Sequence, residues 1–263
     1  MMIVTTLILA AVMQATAGSA GLAPQVAQPA HQAAATGRVS KESTVEELLA
    51  VLFLRGKDLK DFEGDVKLGD TDASTGAGSV RSGRVVYDVA ESGATRLLVR
   101  FETRAEDDGD AKKERLIYLL DGSWLTERNY RRKVEIKRQV LRPGQTINLF
   151  RLGEGPFPLP IGQEPAEVLK QFEVTKLDST DSRPAIRLIP REGTRLGTKF
   201  ASIDVWVDPE TRFPTRIETL NKQETTVRST ELSGLTVNEH GAKSFDLPEI
   251  DGEWKRSEEP LED

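Results

Sequence analysis

Arg96–Arg104 reads RLLVRFETR. Leu97, Val99 and Phe101 stand at every second position, among Arg96, Arg100, Glu102 and Arg104. A period of two sends successive side chains to opposite faces of a strand, so this segment has one apolar face and one charged face. Arg84–Ala90 repeats the pattern with Val85, Tyr87 and Val89, and Lys133–Val140 repeats it with Val134, Ile136 and Val140. One-sided alternation in several segments predicts an antiparallel sheet with one wet face. Further strands are predicted over Phe172–Asp178, Ala185–Ile189, Ala201–Val207, Phe213–Thr219 and Thr225–Leu232. Asp121-Gly122, Asp208-Pro209 and Ser233-Gly234 supply turn signals between strands. Long helical patterns do not alternate with the strands, which argues against a parallel α/β sheet.

Two short helices interrupt the β pattern. Thr44–Arg55 carries Val45, Leu48, Leu49, Leu52 and Phe53 at helical spacing. Ser43 with Glu46 forms a candidate capping box, and Gly56 is a candidate to end or loosen the helix before Leu59 and Phe62. Pro165 opens a second short helix through Lys170. Asp72–Ser79 and Ala105–Ala111 read as exposed hairpin tips.

The N-terminus is unlike the rest. Met1–Met13 is apolar and uncharged, and too short for a spanning helix, which needs about 20 residues. Ala15-Thr16-Ala17 follows and fits a signal-peptidase site, so residues 1–20 read as a secretory signal peptide. Residues 21–42 are rich in Ala, Gln and Pro and read as a disordered linker. Residues 43–250 then form one β-rich binding domain, and residues 251–263 an acidic tail. The expected location is the periplasm, or outside the cytoplasm generally. A net charge of −6 argues against nucleic acid as a partner. The absence of cysteine removes disulfides, thiolate chemistry and lipid attachment through Cys.

Phe150–Gln163, FRLGEGPFPLPIGQ, alternates Pro156, Pro158 and Pro160 with Phe157, Leu159 and Ile161. The prolines forbid a helix and point to a polyproline-like strip whose apolar side chains must be covered. The strip is either an edge-covering loop or a lid over an apolar pocket. Arg138 is in phase with Val134 and Ile136, so it faces the apolar side and needs a partner, or a bulge turns it outward. The basic run Arg128–Arg132, with Lys133, Lys137, Arg138 and Arg142, reads as a solvated hairpin, or as a dock for an acidic partner or membrane surface.

No catalytic constellation stands out. His31 lies in the linker and His240 in a polar turn. No Gly-x-Ser-x-Gly elbow, phosphate loop or His-Glu-x-x-His occurs. Glu106-Asp107-Asp108-Gly109-Asp110 fits no EF-hand spacing and reads as a solvated tip. The expectation is a binding protein with no catalytic residues, metal or cofactor.

Several segments together resemble a known family. These are Thr44–Leu49, then Leu59-Lys60-Asp61-Phe62-Glu63-Gly64-Asp65-Val66, then Asp121-Gly122-Ser123-Trp124-Leu125, and last Ile203–Glu218, which holds Val207-Asp208-Pro209-Glu210-Thr211 and Pro214. Over Thr44–Ile250 their order resembles the outer-membrane lipoprotein carrier family with the LolA-like fold. The resemblance implies a mainly β (α+β) fold: an unclosed, strongly curved antiparallel half-barrel with a few helices lidding its concave face. It implies a monomeric carrier of lipid or lipoprotein acyl chains, or a regulator of the same fold that binds an envelope membrane protein. The candidate lipid-binding or lid residues are Phe157, Leu159, Ile161, Val134, Ile136, Arg138, Leu97, Val99 and Phe101. The chain departs from the family in its Pro-rich strip and in its 6% aromatic content.

Overall fold

The computed structural model describes residues 39–90, 93–107, 109–142, 145, 161–178, 182–239 and 243–261. The signal-peptide segment, linker residues 21–38, His31, His240 and most of the Pro-rich strip lie outside these residues, whereas Val39, read as linker, is 3% exposed and belongs to the main core. Helix α1 spans Val45–Asp58. Its cap falls one residue later than the sequence suggests. The Ser43 hydroxyl accepts from the Ser40 N–H at 3.1 Å and closes the preceding turn. Thr44 is therefore the N-cap, and its hydroxyl and the Glu47 carboxylate satisfy each other's backbone N–H groups. The helix also runs past Gly56 instead of ending there. Helix α2, Pro165–Gln171, has its proline in the first turn, as expected.

The strands are β1 (Asp61–Asp72), β2 (Gly78–Val89), β3 (Thr95–Glu106), β4 (Lys112–Asp121), β5 (Trp124–Asn129) and β6 (Val134–Gln139), followed after α2 by β7 (Phe172–Leu177), β8 (Ala185–Pro190), β9 (Phe200–Val207), β10 (Pro214–Asn221), β11 (Thr226–Val237) and β12 (Lys255–Glu259). They form one sheet in the order β12-β6-β5-β4-β3-β2-β1-β11-β10-β9-β8-β7. Every pairing is antiparallel except β12 on β6. The two ends do not pair, so the sheet is an unclosed half-barrel with helices over one face. The expected fold class holds.

Two expectations change. Ser233-Gly234 is no turn between strands, because β11 runs through it. Asp65 pairs with Ser233 and Glu63 with Thr236, so β11 carries an extra residue there. Gly234, at φ 56°, supplies the left-handed conformation of that bulge. The stretch read as an acidic tail contains β12, whose five residues are all exposed.

The main core lies between the sheet and the helices. Leu48, Leu49, Val51 and Leu52 of α1 pack with Phe62, Val85, Tyr87, Leu97, Val99, Phe101, Leu188, Ile203, Val205 and Ile217. The alternation in the sequence gives this face directly. Val89, at the strand end, is the exception and is exposed.

Candidate functional site

Cross-strand register builds the helix-covered face in rows, between shifts at Ser82/Gly83 and Phe101/Thr103. One row runs Phe62, Tyr87, Leu97, Leu120, Leu125 and Arg138. The next runs Val85, Val99, Tyr118, Glu127 and Ile136, and a third runs Phe101, Leu116, Asn129 and Val134. Residues directly opposite on antiparallel neighbours share a face. The sheet therefore brings together Leu97, Val99, Phe101, Val134, Ile136 and Arg138. The β5–β6 ladder has no bulge, so Arg138 keeps the apolar phase.

Burial falls along these rows. Leu97, Val99, Phe101, Leu116 and Leu120 are buried in the main core. Tyr118, Leu125, Val134 and Ile136 are only half-buried. Apolar side chains thus recur from the core toward β6 and stay partly open to solvent, interrupted on β5 by Glu127 and Asn129. The charges among them form one small group. Arg138 Nε donates to Glu259 Oε2 at 2.6 Å, and its Nη1 lies 3.6 Å from Glu127 Oε2. Burial raises the Glu127 carboxyl above its usual range, and the neighbouring Arg138 cation only partly offsets this. Burial, assisted by the Glu127 charge, also pushes the Tyr118 phenol up to about 12.

A prediction follows for Glu127. An acid whose folded pKa is raised destabilises the fold when charged, and the penalty vanishes below its unfolded pKa of about 4.3. Glu127→Gln should therefore be more stable than the parent in urea unfolding at pH 7, with the difference shrinking toward pH 4. A variant less stable by the same amount at both pH values would show that the carboxylate is a net favourable partner.

Phe157 and Leu159 lie outside the described residues. Ile161 is 1% exposed and part of the main core. The Gly162 N–H beside it donates to the Leu52 carbonyl of α1 at 3.1 Å. A Cβ on Gly56 would stand 2.2 Å from Gly162 N and 2.6 Å from Ile161 Cγ2. Gly56 therefore serves close approach of this turn to the helix, not helix termination.

The outer face is not uniformly wet. Val86, Leu98 and Ile117 form a second cluster with Phe245, joined by Leu119, Tyr130 and Leu247. Residues 243–261 cross this face from β1 to β6. Lys243 Nζ lies 3.0 Å from Glu63 Oε1, Arg96 stacks on Phe245, and Arg128 Nη1 donates to the Pro248 carbonyl at 2.5 Å. Sequence reading passed over this strap. Its signal is the paired apolar residues Val85-Val86 and Leu97-Leu98, which put a second apolar side chain on the face predicted to be wet, together with Phe245 and Leu247 downstream. A hollow of about 230 Å³ lies beside the strap, with Val86 and Leu98 among its lining and Arg84, Arg100, Glu102 and Lys243 around them. It is charged and lies on the opposite side from the apolar stripe. Among the described residues, no group of three or more metal-ligating side chains occurs, and no helix is long and apolar enough to cross a membrane.

No family model matches this sequence, and no curated protein is significantly similar to it. Solved structures do match in fold. A chain of the Pseudomonas aeruginosa MucA/MucB complex is 11% identical with a TM-score of 0.42 over 75% of this chain. This chain spans 58% of that one. An uncharacterized conserved protein from Thermus thermophilus is 9% identical with a TM-score of 0.44, over 81% of this chain and 98% of that one. A LolA superfamily protein from Nitrosomonas europaea is 12% identical with a TM-score of 0.31, over 78% and 96%. Each likeness is one of fold alone.

Proposed function

We propose that this chain is an exported binding domain that holds a lipid tail or a lipoprotein acyl chain along the helix-covered face. The half-buried stripe of Tyr118, Leu125, Val134 and Ile136 supports this reading most. Apolar side chains left partly open beside a packed core mark a place where an apolar ligand can complete the burial. Arg138 stands at the end of a neighbouring row and suits the polar head of an amphiphile. The reading needs no chemical step and assigns no catalytic residue.

Native mass spectrometry of the gently purified chain should show a bound lipid, at a mass that organic extraction removes. Repeated absence of lipid, with tight capture of a transmembrane protein, would favour the regulatory reading instead. Export is part of the same proposal, supported by Met1–Met13 and Ala15-Thr16-Ala17. Protein from the native envelope should begin near residue 20, and an intact Met1 would remove this element.

A further inference from the structure

The basic run on β5 and β6 has an acidic partner within the chain. Lys133 bonds Glu253, Lys137 Nζ lies 3.7 Å from Glu258, and Arg138 bonds Glu259 at 2.6 Å. Between these pairs Lys255–Glu259 lies parallel to β6, with Lys255 opposite Val134 and Glu259 opposite Arg138. All five side chains of β12 are exposed, so the strand itself carries no apolar anchor, and the one beside it is Trp254. Along the strand what holds it is a backbone ladder and a row of ion pairs, and an extended acidic segment can supply both. We propose that the β6 edge is a strand-addition site for an extended acidic segment of a partner protein, and that Glu253–Glu259 occupies it in this chain as an internal competitor.

Two features make the occupant exchangeable. Solvent-exposed ion pairs contribute little net stability. In addition, the Tyr130 hydroxyl is buried without a hydrogen-bond partner while Trp254 packs edge-on against its ring at 4.8 Å. A buried unpaired hydroxyl is a cost of the arrangement in which Trp254 is seated. Upstream, Phe245 remains in its own apolar cluster, so the strap can release β12 without detaching entirely.

The test uses a fluorescein-labelled peptide with the sequence of residues 252–263, the full chain, and a chain ending at Gly252. Fluorescence anisotropy should show saturable binding to the shortened chain and at least tenfold weaker binding to the full chain. Lys133→Glu with Lys137→Glu in the shortened chain should abolish it, as should lysine at the three glutamates of the peptide that match Glu253, Glu258 and Glu259. No binding by a shortened chain with β circular dichroism, equal binding by both chains, or binding to anionic phospholipid vesicles instead of the peptide would overturn the proposal. If the shortened chain does not fold, the full chain carrying Glu253→Lys, Glu258→Lys and Glu259→Lys must bind the original peptide more tightly than the parent, and failure there also overturns it. The site is a sheet edge, so its failure would leave the acyl-chain reading standing.

Discussion

Replacing Phe213 by Ala should cost about 3–5 kcal/mol, the usual range for deleting a fully buried phenylalanine. For a domain of this size the melting temperature should fall on the order of 10 °C. Phe213 is 0% exposed, and its ring centroid lies 5.1 Å from that of Phe62, which itself stacks on Tyr87 at 5.2 Å. It sits in the turn between β9 and β10, so its side chain fixes that hairpin beneath β1 and β2. The turn is built to present it. Asp208 Oδ1 accepts from the Thr211 N–H at 2.7 Å and the Thr211 hydroxyl at 2.9 Å, and Arg212 takes φ 56°. Ile189→Ala, at a site 41% exposed, is the matched control and should change stability by less than about 0.5 kcal/mol. Thermal unfolding followed by circular dichroism reads both. A shift at Phe213 as small as the control's would mean that the hairpin is not anchored there.

The second large effect is one of sign. Glycine inside a helix ordinarily costs about 1 kcal/mol relative to alanine, so Gly56→Ala in an isolated α1 would stabilise it. In this fold it should destabilise by about 1–3 kcal/mol, because the new methyl meets the backbone of Gly162, which cannot yield as a flexible side chain would. Gly162 is itself fixed by φ 72° and by its bond to the Leu52 carbonyl. Urea unfolding of parent and variant decides the matter. A stabilised Gly56→Ala would show that the Ile161–Gly162 turn does not rest on the helix.

These residues also show how much could be read from the sequence. The period of two in RLLVRFETR and KVEIKRQV gave both the antiparallel sheet and the set of side chains sharing its helix-covered face, because alternation is a local property of a strand. The phase of Arg138 was legible for the same reason. Its partners were not: Glu259 lies 121 residues away, and no local rule links them. The role of Gly56 was misread because close approach to Gly162 is tertiary, whereas helix termination is the common local meaning of glycine. The Ser233-Gly234 signal was real, but a bulge and a turn ask for the same left-handed residue. The strap over the outer face is hard to read because Phe245 and Leu247 are too short an alternation, in a charged C-terminal stretch, to mark an element.

The central claim is that an apolar ligand completes the half-buried stripe at β4–β6, and Ile136 stands in its middle row. Titration of a fluorescent fatty acid into the parent and into Ile136→Glu tests this most directly. Burying an isoleucine side chain contributes about 1.5–3 kcal/mol, which corresponds to roughly 10–100-fold in affinity. The account predicts saturable binding to the parent, displaced by phospholipid, and at least tenfold weaker binding to Ile136→Glu, while both proteins keep the same β circular dichroism. Absence of saturable binding to the folded parent, or equal binding by both proteins, would contradict it.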